Sequence, residues 1–141
     1  MAKKGGGPNA PVNNLANNGV YVLMDEITMQ SCADCLKWIM NQNLAETRLP
    51  QLTIIINSPG GDVHAAFALI DTMKASTIPI KTVGLGLIAS CGFLIFIAGK
   101  KGSRILTPNT SILSHQYSWG SAGKEHELYA RVKEFELSTQ R

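Results

Sequence analysis

Apolar residues in this chain follow two patterns: short continuous runs, and runs that repeat at helical spacing. The continuous runs are typical of buried β-strands, because strands covered on both faces carry few polar positions. They lie at 20–25 (VYVLMD), 52–56 (LTIII), 78–85, 104–106 and 111–115. The pattern therefore predicts five strands, and the segments between the longer strands have helical spacing.

Helical spacing marks those intervening segments. The first helix is predicted to begin at Thr28 or Ser31, since either side chain can cap it. Its predicted buried face consists of Cys32, Cys35, Leu36, Ile39, Met40 and Asn43. The predicted buried face of a second helix consists of Val63, Ala66, Phe67, Ile70 and Met73. A third helix, 89–98, is apolar on nearly every side and must be enclosed by the fold or by a neighbouring subunit.

Strands that alternate with helices indicate βαβ units and a mainly parallel sheet covered on both sides, so the predicted fold class is α/β. A length of 141 residues allows one compact domain. Residues 1–19 are rich in Gly, Asn and Pro and predict a flexible tail, which leaves 20–141 as the domain. A last helix is expected from Gly123, with Leu128, Val132 and Phe135 on one face.

Composition and charge argue against several classes of protein. Residues 82–99 carry no charge and are long enough to span a membrane, but several glycines interrupt them. We interpret this stretch as a strand followed by a buried helix and expect no membrane partner. A net charge of +3 without a basic, aromatic-rich stripe argues against nucleic acid as a partner.

The three cysteines are expected to be free thiols. An odd number of cysteines without a secretory signal favours a reducing, cytoplasmic setting over a disulfide framework. The Cys32-x-x-Cys35 spacing suits a metal ligand pair, but a structural zinc takes four ligands and no second pair lies nearby. Buried free cysteines are the interpretation, and no metal or other cofactor is expected.

Three segments at predicted carboxyl ends of strands carry groups with catalytic potential, since active groups of α/β sheets collect there. Residues 57–62 (NSPGGD) place two glycines before a helix, which suits a site lined by backbone N–H groups and equally a tight turn. Ser90, in 88–92 (IASCG), lies at a strand-to-helix transition, as a nucleophile or as a helix N-cap. His115 ends the last strand, either as a base or as a hydrogen-bonded strand-end residue.

Together the three segments meet the requirements of hydrolysis by a serine. A serine hydroxyl is a weak nucleophile until a base such as imidazole removes its proton near neutral pH. The developing oxyanion needs backbone donors, which a Gly-Gly turn and the amide after the serine can supply. The sequence offers each of these groups at a strand end of one small sheet.

Five ordered motifs resemble those of the ClpP family of Clp proteases. They are NSPGG (57–61), IASCG (88–92), AGKKGSR (98–104), TPN (107–109) and SHQ (114–116). Their spacing is also similar, because Ser90 lies 29 residues after Gly61 and His115 lies 25 residues after Ser90. The resemblance runs from about Val20 to the end of the chain. It implies a ClpP/crotonase-like spiral of βαβ units with a handle helix at the C-terminal end, in a C-terminally shortened member similar to phage-borne ones.

The resemblance implies an activity and the residues that carry it. The chain would be a serine endopeptidase subunit that hydrolyses peptide bonds with Ser90 as nucleophile and His115 as base. The backbone amides of Gly61 and Cys91 would form the oxyanion hole, and Cys91 stands where a methionine is common in the family. Residues 116–123 resemble the handle segment that holds extended substrate.

The chain also departs from the family pattern. The family's triad aspartate lies roughly 49 residues after the histidine, beyond residue 141 of this sequence, and it normally orients the imidazole. A carboxylate from a neighbouring chain, or a slow Ser90–His115 dyad, would be consistent with activity. The alternative is a catalytically impaired subunit that assembles with or modulates full-length Clp protease rings. A crotonase-type acyl-CoA enzyme on the same fold is a third hypothesis, against which the Ser90–His115 pair argues.

Expected partners follow from the same resemblance. They are a peptide or unfolded protein substrate, further copies of the chain in a homo-oligomeric ring, and full-length ClpP. An oligomer is also expected because the apolar helix 89–98 needs cover. Thr53 and Ile55 stand where the family often has aromatic residues that receive the docking loops of the unfoldase. Their presence argues against a Clp ATPase as a partner.

Overall fold

The computed structural model describes residues 14–114 of the chain. Its elements are, in order, a short 3₁₀ helix (Ala16–Asn18), β1 (Val20–Met24), α1 (Met29–Leu44), β2 (Leu52–Ser58), α2 (Val63–Ala75), β3 (Ile80–Ala89), α3 (Cys91–Ile97), β4 (Arg104–Leu106) and β5 (Ser111–Leu113). From β1 to β4 each strand is followed by a helix and then by the next strand. The predicted α/β class is confirmed.

All five strands form one parallel sheet, in which β1, β2 and β3 lie side by side in chain order. The far edge of β3 holds two short strands, because β4 pairs with residues 82–84 and β5 with residues 87–89. The turn between these strands is fixed to β3. The hydroxyls of Thr107 and Thr110 both donate to the carbonyl oxygen of Gly84, at 3.1 and 2.8 Å. Strand β5 is thereby placed beside the carboxyl end of β3.

The three helices lie on one face of the sheet. Since the strand order never reverses, successive crossovers of the usual right hand place every helix on the same side. Accordingly, α1 packs against α2, and α2 packs against α3. Within residues 14–114 the opposite face stays partly open along the register row Val22, Ile55, Val83 and Ile105. Within residues 14–114 the helices cover one face of the sheet and not both as expected, because right-handed crossovers along an unreversed strand order lie on the same side.

The hydrophobic core lies between the helix layer and the sheet. Residues of β2 are buried alternately, and Leu52, Ile54 and Ile56 are fully enclosed. In α2 the predicted positions are buried, except that Phe67 is only half-buried. The period-2 pattern of the strand and the 3.6-residue pattern of the helix therefore meet in one core.

The buried face of α1 differs from the predicted one. Its buried residues are Cys32, Cys35, Trp38 and Ile39. Met40, predicted to be buried, is 52% exposed, whereas Trp38 was not predicted. The indole N–H of Trp38 donates to the carbonyl oxygen of Ala16 at 3.1 Å, and its ring lies 5.3 Å from that of Tyr21. These contacts outside the helix, rather than its own spacing, decide which residues of α1 face inward.

Asn43 is the one polar residue on the predicted buried face of α1, and it is half-buried. Its side-chain oxygen accepts hydrogen bonds from the N–H and the hydroxyl of Thr77, both at 2.8 Å. Its amide donates to the hydroxyl of Ser76 and to the carbonyl oxygen of Ile39, both at 2.9 Å. Because its polar atoms are paired, Asn43 fixes the end of α1 to the loop before β3.

Residues 82–99 are divided between β3 and α3, with Ser90 between the two elements, as the interrupted apolar pattern predicts. In the described part of the chain no helix has both the length and the apolar character needed to cross a bilayer. The predicted strand end at His115 and the predicted helix from Gly123 lie outside the described residues. The division of the chain at residue 19 stays a prediction.

Candidate active site

Ser90 forms the sharp turn between strand β3 and helix α3. The strand ends at Ala89 and the helix begins at Cys91, so a single residue changes the direction of the chain. Its backbone has φ 53° and ψ −127°, and no other non-glycine residue among 14–114 has a positive φ. A residue with a Cβ adopts such a conformation at a cost of about 1–3 kcal/mol. A strained serine at a strand-to-helix turn is typical of a nucleophile elbow.

Ser90 occupies the N-cap position of α3 without acting as a cap. Its side chain accepts no capping hydrogen bond from the helix, so the simplest structural role for this serine is not observed. The backbone is nevertheless held on both sides. The N–H of Ser90 donates to the carbonyl oxygen of Leu113 at 2.9 Å, and its carbonyl oxygen accepts from the N–H of Phe93 at 3.0 Å. These bonds maintain the strained turn.

The Gly60–Gly61 turn lies directly against Ser90. Both glycines have a positive φ, of 99° and 150°, which residues with a Cβ rarely adopt. A Cβ on Gly60 would lie 2.7 Å from the Cβ of Ser90 and 3.3 Å from its Oγ. Glycine therefore permits the close approach, and the structure brings together two of the three predicted segments.

Gly61 is bridged to Ile27 on one side. The N–H of Ile27 donates to the carbonyl oxygen of Gly60 at 2.9 Å, and the N–H of Asp62 donates to the carbonyl oxygen of Ile27 at 2.7 Å. A bridge of this pattern does not use the N–H of its central residue. The bridge to Ile27 therefore does not use the Gly61 N–H.

Cys91 is a buried thiol directly after Ser90. Burial raises the pKa of the Cys91 thiol above its ordinary value, and the nearby carboxylate of Asp62 raises it further. Hydrogen bonds from the N–H groups of Gly61, Cys91 and Gly92 lower the same pKa without outweighing burial. Gly61 directly follows the glycine that lies against Ser90, and Cys91 directly follows Ser90 itself. An oxyanion hole requires backbone donors next to the nucleophile.

Asp62 fixes the chain directly after the first of these amides. Its Oδ1 accepts hydrogen bonds from the N–H groups of His64 and Ala65, at 2.8 and 3.0 Å, and so caps α2. Helix capping by aspartate stabilises the first turn, which here begins one residue after Asp62. The position of Gly61 is thus set by the Ile27 bridge on one side and by this cap on the other.

Strand β5 connects the Ser90 turn to the third predicted segment. Leu113, whose carbonyl oxygen accepts the Ser90 N–H, is the last residue of β5 and lies two residues before His115. His115 and residues 116–123 lie outside the described residues. The structure therefore brings together Ser90, Gly61 and Cys91, and the position of His115 stays a prediction.

Sequence reasoning missed two contributors to this geometry. One is the Leu113 carbonyl, because pairing of β5 with β3 is a long-range contact that local patterns do not reveal. The other is Ser58, which is fully buried and accepts a hydrogen bond from the N–H of Gly60 at 3.1 Å. A serine two residues before a glycine in a turn is a known side-chain turn signal, and it could have identified Ser58.

Cys32 and Cys35 are buried, unpaired thiols, like Cys91. Burial raises the pKa of Cys32 from 9.0 to about 11 and raises that of Cys35 as well, so both are protonated near neutral pH. Across residues 14–114 no group of three or more His, Cys, Asp and Glu side chains is arranged to hold a metal ion.

A separate cleft of about 480 Å³ lies between α2 and α3. Its lining includes Phe67, Ile70, Asp71, Lys74, Leu94 and Ile97. Ser90, Gly61 and Cys91 do not line this cleft, and its walls are mostly apolar. We therefore place the candidate site at the Ser90 turn, where the strained backbone meets the Gly60–Gly61 turn.

A parallel α/β sheet with a strained serine at a strand-to-helix turn is typical of serine hydrolases. The family model described as Clp protease matches residues 5–141 of the chain. The chain is 38% identical over 111 residues to the ATP-dependent Clp protease proteolytic subunit 1 of Corynebacterium jeikeium, covering 79% of this chain and 56% of that protein. It is 42% identical over 84 residues to the proteolytic subunit 2 of Thermobifida fusca, covering 60% of this chain and 41% of that protein.

A solved structure of a ClpP1 mutant from Listeria monocytogenes has the same fold, with a TM-score of 0.75 and 28% sequence identity. The match covers 89% of this chain and 68% of that one. The chain belongs to the Clp protease family. The predicted ClpP-like fold and family are confirmed. The chain spans about half the length of the curated relatives it matches.

Proposed function

We propose that this chain is a ClpP-like serine endopeptidase subunit in which Ser90 is the nucleophile and His115 is the general base. The observation that carries the proposal is the Ser90 backbone, held at φ 53° and ψ −127° against Gly60. Strain of this kind is concentrated at functional sites, where the surrounding structure maintains it. A serine that only linked a strand to a helix would have no reason to keep it.

In the first step, His115 takes the proton of the Ser90 hydroxyl as its oxygen attacks the carbonyl carbon of a peptide bond. The carbonyl double bond becomes a single bond, and negative charge develops on its oxygen. The N–H groups of Gly61 and Cys91 donate hydrogen bonds to this oxygen. Support for this role comes from position, because Gly60 lies against Ser90 directly before Gly61, and Cys91 directly follows Ser90.

In the second step, His115 gives its proton to the leaving nitrogen and the C–N bond breaks, which leaves an ester on Ser90. A water molecule, deprotonated by His115, then attacks the ester carbonyl; the bond from this carbon to the Ser90 oxygen breaks, His115 returns the proton to that oxygen, and the second product leaves as a carboxylic acid. Connectivity supports His115 as the base. Leu113 is hydrogen-bonded to Ser90, and the two residues of chain from there to His115 span at most about 7 Å.

Peptides and unfolded proteins are the proposed substrates, because the relatives are named as proteolytic subunits of ATP-dependent Clp proteases. Copies of the chain are proposed to assemble into a ring, alone or together with full-length ClpP. The sheet face that the helices leave open supports assembly, since Val22 and Ile105 on it are 44% and 43% exposed. Thr53 and Ile55 lie on this same face and are half-buried, and because neither is aromatic they argue against docking of a Clp ATPase.

A catalytically impaired subunit that modulates full-length Clp protease rings is the second candidate. One observation favours it. Among residues 14–114, the carboxylate next to the site belongs to Asp62, and its Oδ1 is engaged in capping α2. In the serine protease template, loss of the carboxylate that orients the imidazole lowers kcat by about 10⁴.

Hydrolysis of a fluorogenic peptide by the full chain tests the proposal. We expect Ser90→Ala and His115→Ala each to lower kcat by at least about 10³. Ser114→Ala is the matched control, because Ser114 is exposed and adjacent to His115, and this variant should keep wild-type kcat. Hydrolysis that survives Ser90→Ala would contradict the proposal. A chain that hydrolyses nothing but changes the rate of co-expressed full-length ClpP would favour the second candidate.

A further inference from the structure

Ser58 and Thr82 are the buried polar side chains of the described part of the chain, and both are 0% exposed. A buried hydroxyl without a partner costs about 1–3 kcal/mol, so such residues are kept where their hydrogen bonds hold something in place. Ser58 is the last residue of β2, at the point where the register between β2 and β3 shifts. The hydroxyl of Ser58 therefore lies at the carboxyl end of the strand that leads into the candidate site.

The Ser58 hydroxyl holds the turn that carries the first oxyanion donor. Its oxygen accepts a hydrogen bond from the N–H of Gly60 at 3.1 Å. The bond closes a side-chain turn over Pro59 and fixes the peptide unit that leads to Gly61. Gly60 has a φ of 99° and no side chain, so its conformation depends on contacts of this kind.

Ser58 also lies against the helix turn that carries the second donor. A Cβ on Gly92 would lie 3.1 Å from the Cβ of Ser58, 3.3 Å from its carbonyl oxygen and 3.5 Å from its Oγ. Gly92 is buried and directly follows Cys91, whose N–H is the second donor. The first turn of α3 therefore packs closely on Ser58, and a side chain at position 92 would be tight against it.

We infer that Ser58 is a positioning residue that sets the spacing between the two oxyanion donors, the N–H groups of Gly61 and Cys91. The inference rests on the proposed function, because that spacing matters only if an oxyanion forms. One buried side chain touches the neighbour of each donor, Gly60 on one side and Gly92 on the other. Hydrogen bonds weaken steeply with distance and angle, so a small change in this spacing lowers the stabilisation of the transition state.

The expected defect is specific. Without the Ser58 hydroxyl, the N–H of Gly60 loses its acceptor and the turn before Gly61 is free to rotate. The substrate in its ground state does not depend on the oxyanion donors, whereas the tetrahedral transition state does. Ser58→Ala should therefore lower kcat and leave KM nearly unchanged.

Peptide hydrolysis by Ser58→Ala, Ser58→Cys and a matched control tests the inference. The control is Thr82→Val, because Thr82 is equally buried and its hydroxyl donates to the carbonyl oxygen of Phe96 at 2.8 Å, at the far end of α3. Both sites lose one buried hydrogen bond to backbone, so the control reports loss of stability alone. We expect kcat to fall by about 10- to 100-fold in Ser58→Ala, with KM within about twofold of wild type. The kcat of Ser58→Cys, which keeps a weak acceptor, should lie between the values of the wild type and Ser58→Ala. Thr82→Val should keep wild-type kcat.

Wild-type kcat in Ser58→Ala would overturn the inference while leaving the proposed function intact. Equal losses of kcat in Ser58→Ala and Thr82→Val would overturn it as well, because they would show an effect of stability alone. If Ser58→Ala fails to fold, the kcat of Ser58→Cys relative to Thr82→Val decides in the same way. A wild-type chain that hydrolyses no peptide and does not react at Ser90 would overturn the proposed function, and the inference with it.

Discussion

The N–H of Ser90 donates a hydrogen bond of 2.9 Å to the carbonyl oxygen of Leu113. This bond joins the strained turn after β3 to the last residue of β5, so the chain that continues to His115 leaves from the site itself. The same turn lies against Gly60, whose missing side chain lets the two segments meet. The proposed nucleophile is therefore held between the loop that provides an oxyanion donor and the strand that leads to the proposed base.

Substitution of Ser90 measures the strain at the turn. Glycine adopts a φ of 53° without the steric penalty of a Cβ. The free energy of unfolding of Ser90→Gly should therefore be about 1 kcal/mol higher than that of Ser90→Ala. Both variants lack the hydroxyl, which removes chemistry as a difference between them. Urea unfolding followed by circular dichroism gives the comparison. Equal stabilities for the two variants would show that the turn is not strained.

Gly61→Ala should reduce both stability and peptidase activity. A Cβ at this position would collide with the carbonyl oxygen of Ile27, which disrupts the bridge that orients the Gly61 amide. Gly102→Ala is the control, because Gly102 also has a positive φ, 85°, but has nothing within 4 Å of a built Cβ. The control should lose about 1 kcal/mol of stability and keep its activity. Similar behaviour of the two variants in urea unfolding and peptide hydrolysis would argue against the bridge.

Asp62 should stabilise α2 as its N-cap. Asp62→Ala removes the acceptor for the N–H groups of His64 and Ala65 and should lower the free energy of unfolding by about 1 kcal/mol. Asp62→Asn keeps an oxygen in the same place and should stay within a few tenths of the wild-type value. A matching loss in both variants, measured by urea unfolding, would assign the effect to charge rather than to capping.

Stability should fall at alkaline pH, in part through Cys32. Burial raises the pKa of Cys32 from 9.0 to about 11, so the unfolded chain releases this proton at a lower pH than the folded one does. The corresponding stability is complete below pH 9 and is lost as the pH rises towards 11. The midpoint of urea unfolding should therefore decrease across this range. Burial also raises the pKa of Tyr21, so Cys32→Ala is needed to isolate the thiol, and its midpoint should change less steeply with pH.

The sequence predicted the strands, the helices and the fold class because these depend on local patterns. It placed the end of the third strand at residue 85, whereas β3 continues to Ala89. The extra residues pair with β5, from Leu87 opposite Ser111 to Ala89 opposite Leu113. A pairing between distant segments leaves no signal in a local window. For the same reason the pattern did not predict that all helices lie on one face, which depends on strand order.

The candidate site was predicted in part. Ser90, Gly61 and Cys91 are brought together because glycine, serine and their spacing reflect a turn geometry that the sequence can specify. The role of Ser58 depends on a contact with Gly92 across the core, so a motif alone does not reveal it. Trp38 shows the same limit in α1, where a hydrogen bond to Ala16 turns it inward.

Labelling with a fluorophosphonate probe tests the central claim most directly. The probe forms a covalent bond with an activated serine oxygen, and mass spectrometry of the digested protein identifies the modified residue. We expect modification at Ser90 in the wild-type chain and none in Ser90→Ala. Absence of labelling at Ser90, under conditions that label a full-length ClpP, would contradict the assignment of Ser90 as an activated nucleophile.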